Sequence, residues 1–261
     1  MGKAYAGNSS NKSIVPSKVY IGDNSDKSVT VKKIYMGDSN DKSVLVWPPL
    51  IPAAYQQVEY IQNSNLATYI STGITRIDNY TAMHFDLMVT SWQNTGESQT
   101  LSPISYVVIG ESTVEAYVKR YGVASPTSGS FRFNVPNGSG DGSITVANVS
   151  YSLNTRYKID FNVDGGYFYV DNVLKGNTTT TYEYTGLPSF PLFGLSTRNG
   201  FYYGYNKQRL YHYTATQGST LIRDMYPCYR KSDSVVGMYD IVNDVFYGPS
   251  GSGTFYKGPN V

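Results

Sequence analysis

Between residues 3 and 45 the chain says the same thing three times. KAYAGNSSNKSIV, KVYIGDNSDKSVT and KIYMGDSNDKSVL begin at Lys3, Lys18 and Lys33 and share the pattern Lys-x-Tyr-x-Gly-[Asn/Asp]-x-x-[Asn/Asp]-Lys-Ser-[Ile/Val]. A constant step of this kind means one supersecondary unit used repeatedly. In the second copy Val19 and Ile21 alternate with Tyr20, the period-2 mark of a half-buried strand. Gly22-Asp23-Asn24-Ser25-Asp26 then supplies turn formers, and Ser28-Val29-Thr30-Val31 returns. Each copy is therefore predicted to be a β-hairpin.

The pairs Asp23/Asp26 and Asp38/Asp41 suggest a cation site, but the first copy carries Asn8 and Asn11 at those positions. Asx side chains that hydrogen-bond their own backbone account for all three copies, whereas a metal accounts for two. No metal is expected. Hairpins this small have almost nothing to bury and are marginal alone. The module must lie against something else, with Tyr5, Tyr20, Ile21, Tyr35 and Met36 as the residues expected to make that contact.

Composition points the same way for the rest of the chain. Tyrosine, at 26 copies, far outnumbers the 10 Phe and 2 Trp, and 25 Gly and 12 Pro accompany only 15% charged residues. Turn formers and aromatics in that balance favour strands over helices. A net charge of +2 without a Lys/Arg stripe gives no footing for nucleic acid. No apolar run approaches the ~20 residues of a spanning helix, and the N-terminus lacks an apolar signal core, so neither membrane insertion nor secretion through a cleaved peptide is expected. Cys228 is alone and reads as a small buried hydrophobe.

Trp47-Pro48-Pro49-Leu50-Ile51-Pro52 is a stiff connector, because closely spaced prolines favour extended backbone and cannot join a central strand. The organisation predicted is a hairpin module over 1–46, a linker over 47–54 and an all-β domain over 55–261. Candidate strands cover 57–62, 81–91, 106–110, 115–120, 129–134, 143–149, 156–163, 167–170, 189–196, 203–213 and 221–230. Many short strands with no 3.6-period segment indicate a sandwich or barrel. The best patterned piece places Tyr157, Ile159, Phe161 and Val163 on one face and Lys158, Asp160 and Asn162 on the other, closing at Asp164-Gly165-Gly166.

The residues of this domain also carry a resemblance. VEYIQNSNLATYISTGI, from Val58, resembles the opening strands of concanavalin A-like lectin/LamG-type domains, which occur in proteins of bacteriophages and of bacteria such as Firmicutes. The closing segment from Leu221 to Gly258 resembles theirs in Arg223-Asp224, Pro227-Cys228, Gly237-x-Tyr239-Asp240 and Phe246-Tyr247, in that order. Ser71 stands where relatives usually carry Asp before Thr72-Gly73. The N-terminal copies are similar to Tyr-x-Gly repeats that precede variable domains in structural proteins of Firmicutes phages. The resemblance implies a concanavalin A-like jelly-roll β-sandwich preceded by short β-hairpin repeats. It also implies a phage virion surface protein, on tail or capsid, made in the host cytoplasm. Residues 1–46 would meet other virion proteins, and the usual symmetry of viral fibres suggests a homotrimer. The displayed domain would bind host or mucus glycans, or serve as a decoration without ligand.

Asp160-x-Asn162-x-Asp164-Gly165 with Asp171 matches a helix-loop-helix calcium motif in spacing, but its flanks alternate as strands. Glycan cleavage needs two carboxylates ~5–9.5 Å apart. The closest glutamate pair, Glu111 and Glu115, would lie about 13 Å apart on a strand at ~3.3 Å per residue, and the glucanase signature Glu-x-Asp-x-x-Glu is absent. No catalytic residues and no cofactor are therefore assigned. His84 and His212 sit in patterned strands and read as histidines with satisfied hydrogen bonds. Sugars present apolar C–H faces that stack on aromatic rings. Trp92, placed in a polar loop over 91–100, and Asn199, Tyr202, Tyr203 and Tyr205, in a Gly-punctuated segment, are the candidate carbohydrate-binding residues.

Overall fold

A computed structural model describes the backbone of residues 20–22, 28–30, 34–37, 43–47, 51–65, 68–75, 81–92, 99–109, 112–121, 128–136, 143–162, 167–177, 189–197, 200–203 and 206–261. Side chains are described for 51–65, 68–75, 81–91, 131, 149–162, 167–177, 189–194 and 207–261. The chain divides into two compact units, Met1–Ala53 and Ala54–Val261.

In the first unit, β1 (Tyr20–Gly22) pairs antiparallel with β2 (Ser28–Thr30), Ile21 facing Val29. Likewise β3 (Ile34–Gly37) pairs with β4 (Ser43–Trp47), Tyr35 facing Leu45. These are the second and third repeats, each an antiparallel strand pair flanking its Asx-rich stretch. Tyr20 and Ile21 stand on β1, Tyr35 and Met36 on β3, while Tyr5 and the first repeat lie outside the described residues. Trp47 is the last residue of β4, facing Ile34.

The second unit begins with β5 (Tyr55–Gln57), β6 (Ile61–Asn63), β7 (Thr68–Ser71), β8 (Thr81–Trp92), β9 (Gln99–Ile109), β10 (Ser112–Tyr121), β11 (Ser128–Pro136) and β12 (Ser143–Ser152). It continues with β13 (Arg156–Asn162), β14 (Tyr167–Val170), β15 (Val173–Gly176), β16 (Pro191–Leu192), β17 (Gly194–Thr197) and β18 (Gly200–Tyr203). The closing strands are β19 (Asn206–Gln217), β20 (Thr220–Arg230), β21 (Val236–Asp240), β22 (Val245–Tyr247), β23 (Ser250–Gly251) and β24 (Phe255–Lys257). The described residues are all-β. A large antiparallel sheet runs β15-β14-β13-β8-β19-β20-β21-β22, with β5, β6 and β24 attached at its side, and a smaller sheet runs β12-β11-β10-β9-β17-β18. A short three-stranded sheet, β16-β7-β23, completes the unit.

The core forms where alternation delivers one face of each long strand. On β8, Met83, Phe85, Leu87 and Val89 are buried, as are Ile159 and Phe161 on β13. They share one cluster with Phe131 and Tyr151 of the smaller sheet, and Phe131 meets Tyr157 edge-on at 5.1 Å between ring centroids. Two sheets contributing to one core are consistent with a β-sandwich. Each of these large side chains contributes roughly 1.5–3 kcal/mol through apolar area removed from water.

β19 breaks the simple period. Leu210 is buried and so are Tyr213 and Ala215, an odd step that a bulge between Leu210 and His212 accommodates. One extra residue lets the strand switch phase without losing its inward face. The segment predicted as one strand over 189–196 is likewise two. Phe193 has φ of 65°, a left-handed conformation that a bulky residue rarely adopts, and it separates β16 in the three-stranded sheet from β17 in the smaller sheet. Its ring is buried against Phe255 at 5.2 Å.

The residues of the closing segment tie the two ends of the domain together. The fully buried Asp240 carboxylate accepts hydrogen bonds from the Asp224 and Val242 N–H groups, both 3.1 Å, and from Asn243 Nδ2 at 2.7 Å. Arg223 Nε donates to the Thr72 carbonyl at 2.9 Å, beside Asp240 at 3.6 Å. Gly237 is required by close approach, since a Cβ there would lie 2.2 Å from the Tyr247 carbonyl oxygen.

Candidate functional site

The large sheet's other face, away from the core, is polar and paired. Lateral register sets Tyr169, Asp160, His84, Thr214 and Asp224 side by side on β14, β13, β8, β19 and β20. The neighbouring row sets Asn162, Ala82 and Thr216 together on β13, β8 and β19. Alternation on three strands thus converges on one stretch of sheet, and the convergence is a property of register alone.

Three acid–base pairs hold this face. His84 Nδ1 bonds Asp160 Oδ1 across β8 and β13. His212 Nε2 meets Asp224 Oδ1 at 2.7 Å across β19 and β20. Arg156 grips Asp86 with two bonds, Nε to Oδ1 at 2.6 Å and Nη2 to Oδ2 at 2.8 Å. That bidentate bond, more than the burial opposing it, holds the Arg156 guanidinium above its ordinary pKa. The two imidazoles lie edge to face, 6.2 Å between centroids, and the His212 ring is tilted against Tyr226 at 4.6 Å. Toward the far end of the strands, Arg156 covers the Tyr211 ring at 3.9 Å and Arg209 covers Tyr60 at 4.3 Å. Burial pushes the Tyr211 phenol upward.

Beside the His84–Asp160 pair lies an open groove of about 440 Å³ whose lining includes His84, Asp160, Asn162, Tyr169, Thr214 and Thr216. The His84 side chain is 25% exposed and that of Asp160 34%, so both remain reachable from water. His84 Nε2, the second Asp160 oxygen and the hydroxyls of Tyr169, Thr214 and Thr216 have no hydrogen-bond partner among the described residues. The groove offers unspent donors and acceptors on a rigid floor of paired strands.

No protein-family model and no curated protein matches this chain.

Three of the residues proposed from sequence for carbohydrate binding, Trp92, Tyr202 and Tyr203, have a described backbone, and none is among the groove's described lining residues. Trp92 is the last residue of β8, facing Asn206, and does not lie in a loop as its polar surroundings predicted. It is eight residues from His84, about 26 Å at ~3.3 Å per residue. Tyr202 and Tyr203 stand on β18 in the smaller sheet, facing Leu195 and Gly194. Asn199 and Tyr205 lie outside the described residues. The segment predicted as one strand over 203–213 is accordingly split between β18 and β19.

The two histidines behave as read from the sequence, each bonded to a carboxylate. Asp160 and Asn162 are outward residues of β13, and Asp171 sits in the β14–β15 turn at φ of 51°, accepting the Lys158 N–H at 2.9 Å. That is hairpin geometry, and Asp164 and Gly165 of the motif lie outside the described residues. Among the described residues no three of His, Cys, Asp or Glu are grouped to hold a metal. Cys228 is buried, and burial pushes its thiol up to about 12. It is inert as a nucleophile. Thr214, Thr216 and Tyr169 escaped the sequence reading; their only signal was period-2 alternation of polar residues on strands whose partners are distant in sequence.

Proposed function

We propose that this chain is a non-enzymatic, phage-type virion surface protein whose second unit is a concanavalin A-like jelly roll that binds host-surface or mucus glycans weakly and in several copies. The observation that carries the glycan step is the groove over β13, β8 and β19, with hydroxyl, imidazole and carboxylate groups still free to bond. Sugars are recognised by dense hydrogen bonding to such groups together with an aromatic neighbour, here Tyr169. The resemblance of the opening and closing segments supports the jelly roll. The Arg223–Asp240–Thr72 connection gives those resembling residues a physical task.

Residues 1–46 then attach the protein to the particle or trimerise it. The support is that the described strands of this unit form two-stranded hairpins, which need a further surface to be stable. Multiple copies convert weak single-site binding into useful avidity. A glycan array probed with the full-length protein, multimerised, is expected to show binding. A blank array would leave a rigid decoration without ligand. Residues 1–46 expressed alone are expected to give the circular dichroism of an unfolded chain, and a monomeric fragment that melts cooperatively would overturn the attachment step.

A further inference from the structure

The groove's charge pattern restricts which glycan fits it. Among the described residues its lining holds two ionisable groups besides the Tyr169 phenol, Asp160 and His84, and they are bonded to each other. Neither lysine nor arginine is among the described lining residues. Lys158 shares the outward face of β13 but is exposed and stands outside the lining. A carboxylate bonded to an imidazole offers no net positive charge. A ligand carboxylate, sulfate or phosphate brought here would lose water without gaining a cation, a cost that specificity by exclusion exploits.

The same pair defines what is accepted. An ionised carboxylate only accepts, so His84 Nδ1 supplies the proton of the shared bond, and in the neutral imidazole Nε2 is left as an acceptor. The second Asp160 oxygen is also an acceptor. Two acceptors on lining residues suit two hydroxyl donors, while Thr214, Thr216 and Tyr169 both donate and accept. Lateral register makes the groove span β14, β13, β8 and β19, three strand spacings or about 14 Å at ~4.8 Å each. That is room for a short run of sugar rings rather than a single one.

We propose that the groove over β14, β13, β8 and β19 is a binding site for uncharged glycans, with the Asp160–His84 pair and the Thr214 and Thr216 hydroxyls as its selecting groups. This rests on the glycan-binding reading above and names the ligand class.

The test compares the full-length protein on immobilised neutral polymers, mannan, dextran and chitin oligomers, with acidic ones, polygalacturonate, alginate and polysialic acid. At least one neutral polymer is expected to bind and the acidic ones are not. Thr214→Val and Thr216→Val keep strand shape and are each expected to weaken neutral binding about fivefold, with the melting temperature unchanged. Thr216→Lys supplies the missing cation and is expected to admit an acidic polymer. Acidic polymers bound by the unaltered protein as well as neutral ones would overturn the ligand class and leave glycan binding standing. Neutral binding indifferent to both valine variants would overturn the groove as its place. No binding to any polymer would overturn both this inference and the glycan reading.

Discussion

One strand, β8, shows two different kinds of specification on its two faces. Inward, Met83, Phe85, Leu87 and Val89 are at most 2% exposed and are held by shape and volume. Outward, His84 and Asp86 are held by partners: Asp160 and Arg156. Residues one step apart therefore answer to different physics. The inner face tolerates only what packs, whereas the outer face tolerates what is paired and leaves some groups free for a ligand.

The largest effect should come from the inner face. Phe85 stacks on Phe161 at 5.6 Å and tilts against Tyr213 at 5.0 Å, and all three are fully enclosed. Phe85→Ala is expected to lower unfolding free energy by about 3–5 kcal/mol, the range for a buried phenylalanine, measured by denaturant titration of the full chain. A loss under ~1 kcal/mol would mean that the core around β8 is not packed as described.

An outward substitution on the same strand should cost much less. Asp86 is nearly buried at 9% side-chain exposure, but its partner Arg156 is 48% exposed and can return to water when released. Asp86→Asn is expected to cost about 1 kcal/mol, discounted for that solvent access. High salt should narrow the difference between Asp86→Asn and the unaltered protein and leave that for Phe85→Ala unchanged. Equal costs for the two substitutions would erase the contrast between the faces.

The contrast also explains what was legible beforehand. Period-2 alternation marked β13 residue by residue, with Ile159 and Phe161 inward and Asp160 and Asn162 outward, because one local pattern serves one straight strand. β19 was not readable in the same way, since its bulge at Tyr211 shifts the phase and no local rule announces a bulge. Nor does a phenylalanine announce a left-handed corner, as at Phe193, where tertiary packing overrides preference. His84 and Asp160 were both noticed as residues, yet they are 76 positions apart, and what joins them is strand register, which a single sequence does not display. Trp92 was misplaced for the opposite reason. Polar neighbours in sequence suggested a loop, while pairing with Asn206 on β19 carries the strand through it.

The smallest effect at neutral pH should lie, against first expectation, on the inner face. Tyr213 is completely buried, and its hydroxyl has no hydrogen-bond partner among the described residues. An unpartnered buried hydroxyl contributes nothing in return for its lost hydration, so Tyr213→Phe is expected to leave stability unchanged or raise it by up to about 1 kcal/mol. The two proteins should separate only in alkali. Burial raises the Tyr213 phenol far above its ordinary value of 10.0. Above about pH 10 the unfolded chain therefore releases a proton that the folded chain keeps. The folded state then binds more protons than the unfolded one, and stability falls as pH rises. Tyr211, Tyr239 and Tyr247, also raised by burial, add to the same slope in both proteins. Tyr213→Phe removes one contributor, so its alkaline unfolding midpoint should move upward, read by circular dichroism between pH 8 and 12 (roughly the span over which phenols titrate). A midpoint that moves downward, or a neutral-pH loss comparable to Phe85→Ala, would show that the hydroxyl has a partner and that the inner face of this sheet, like the outer, is specified in part by pairing.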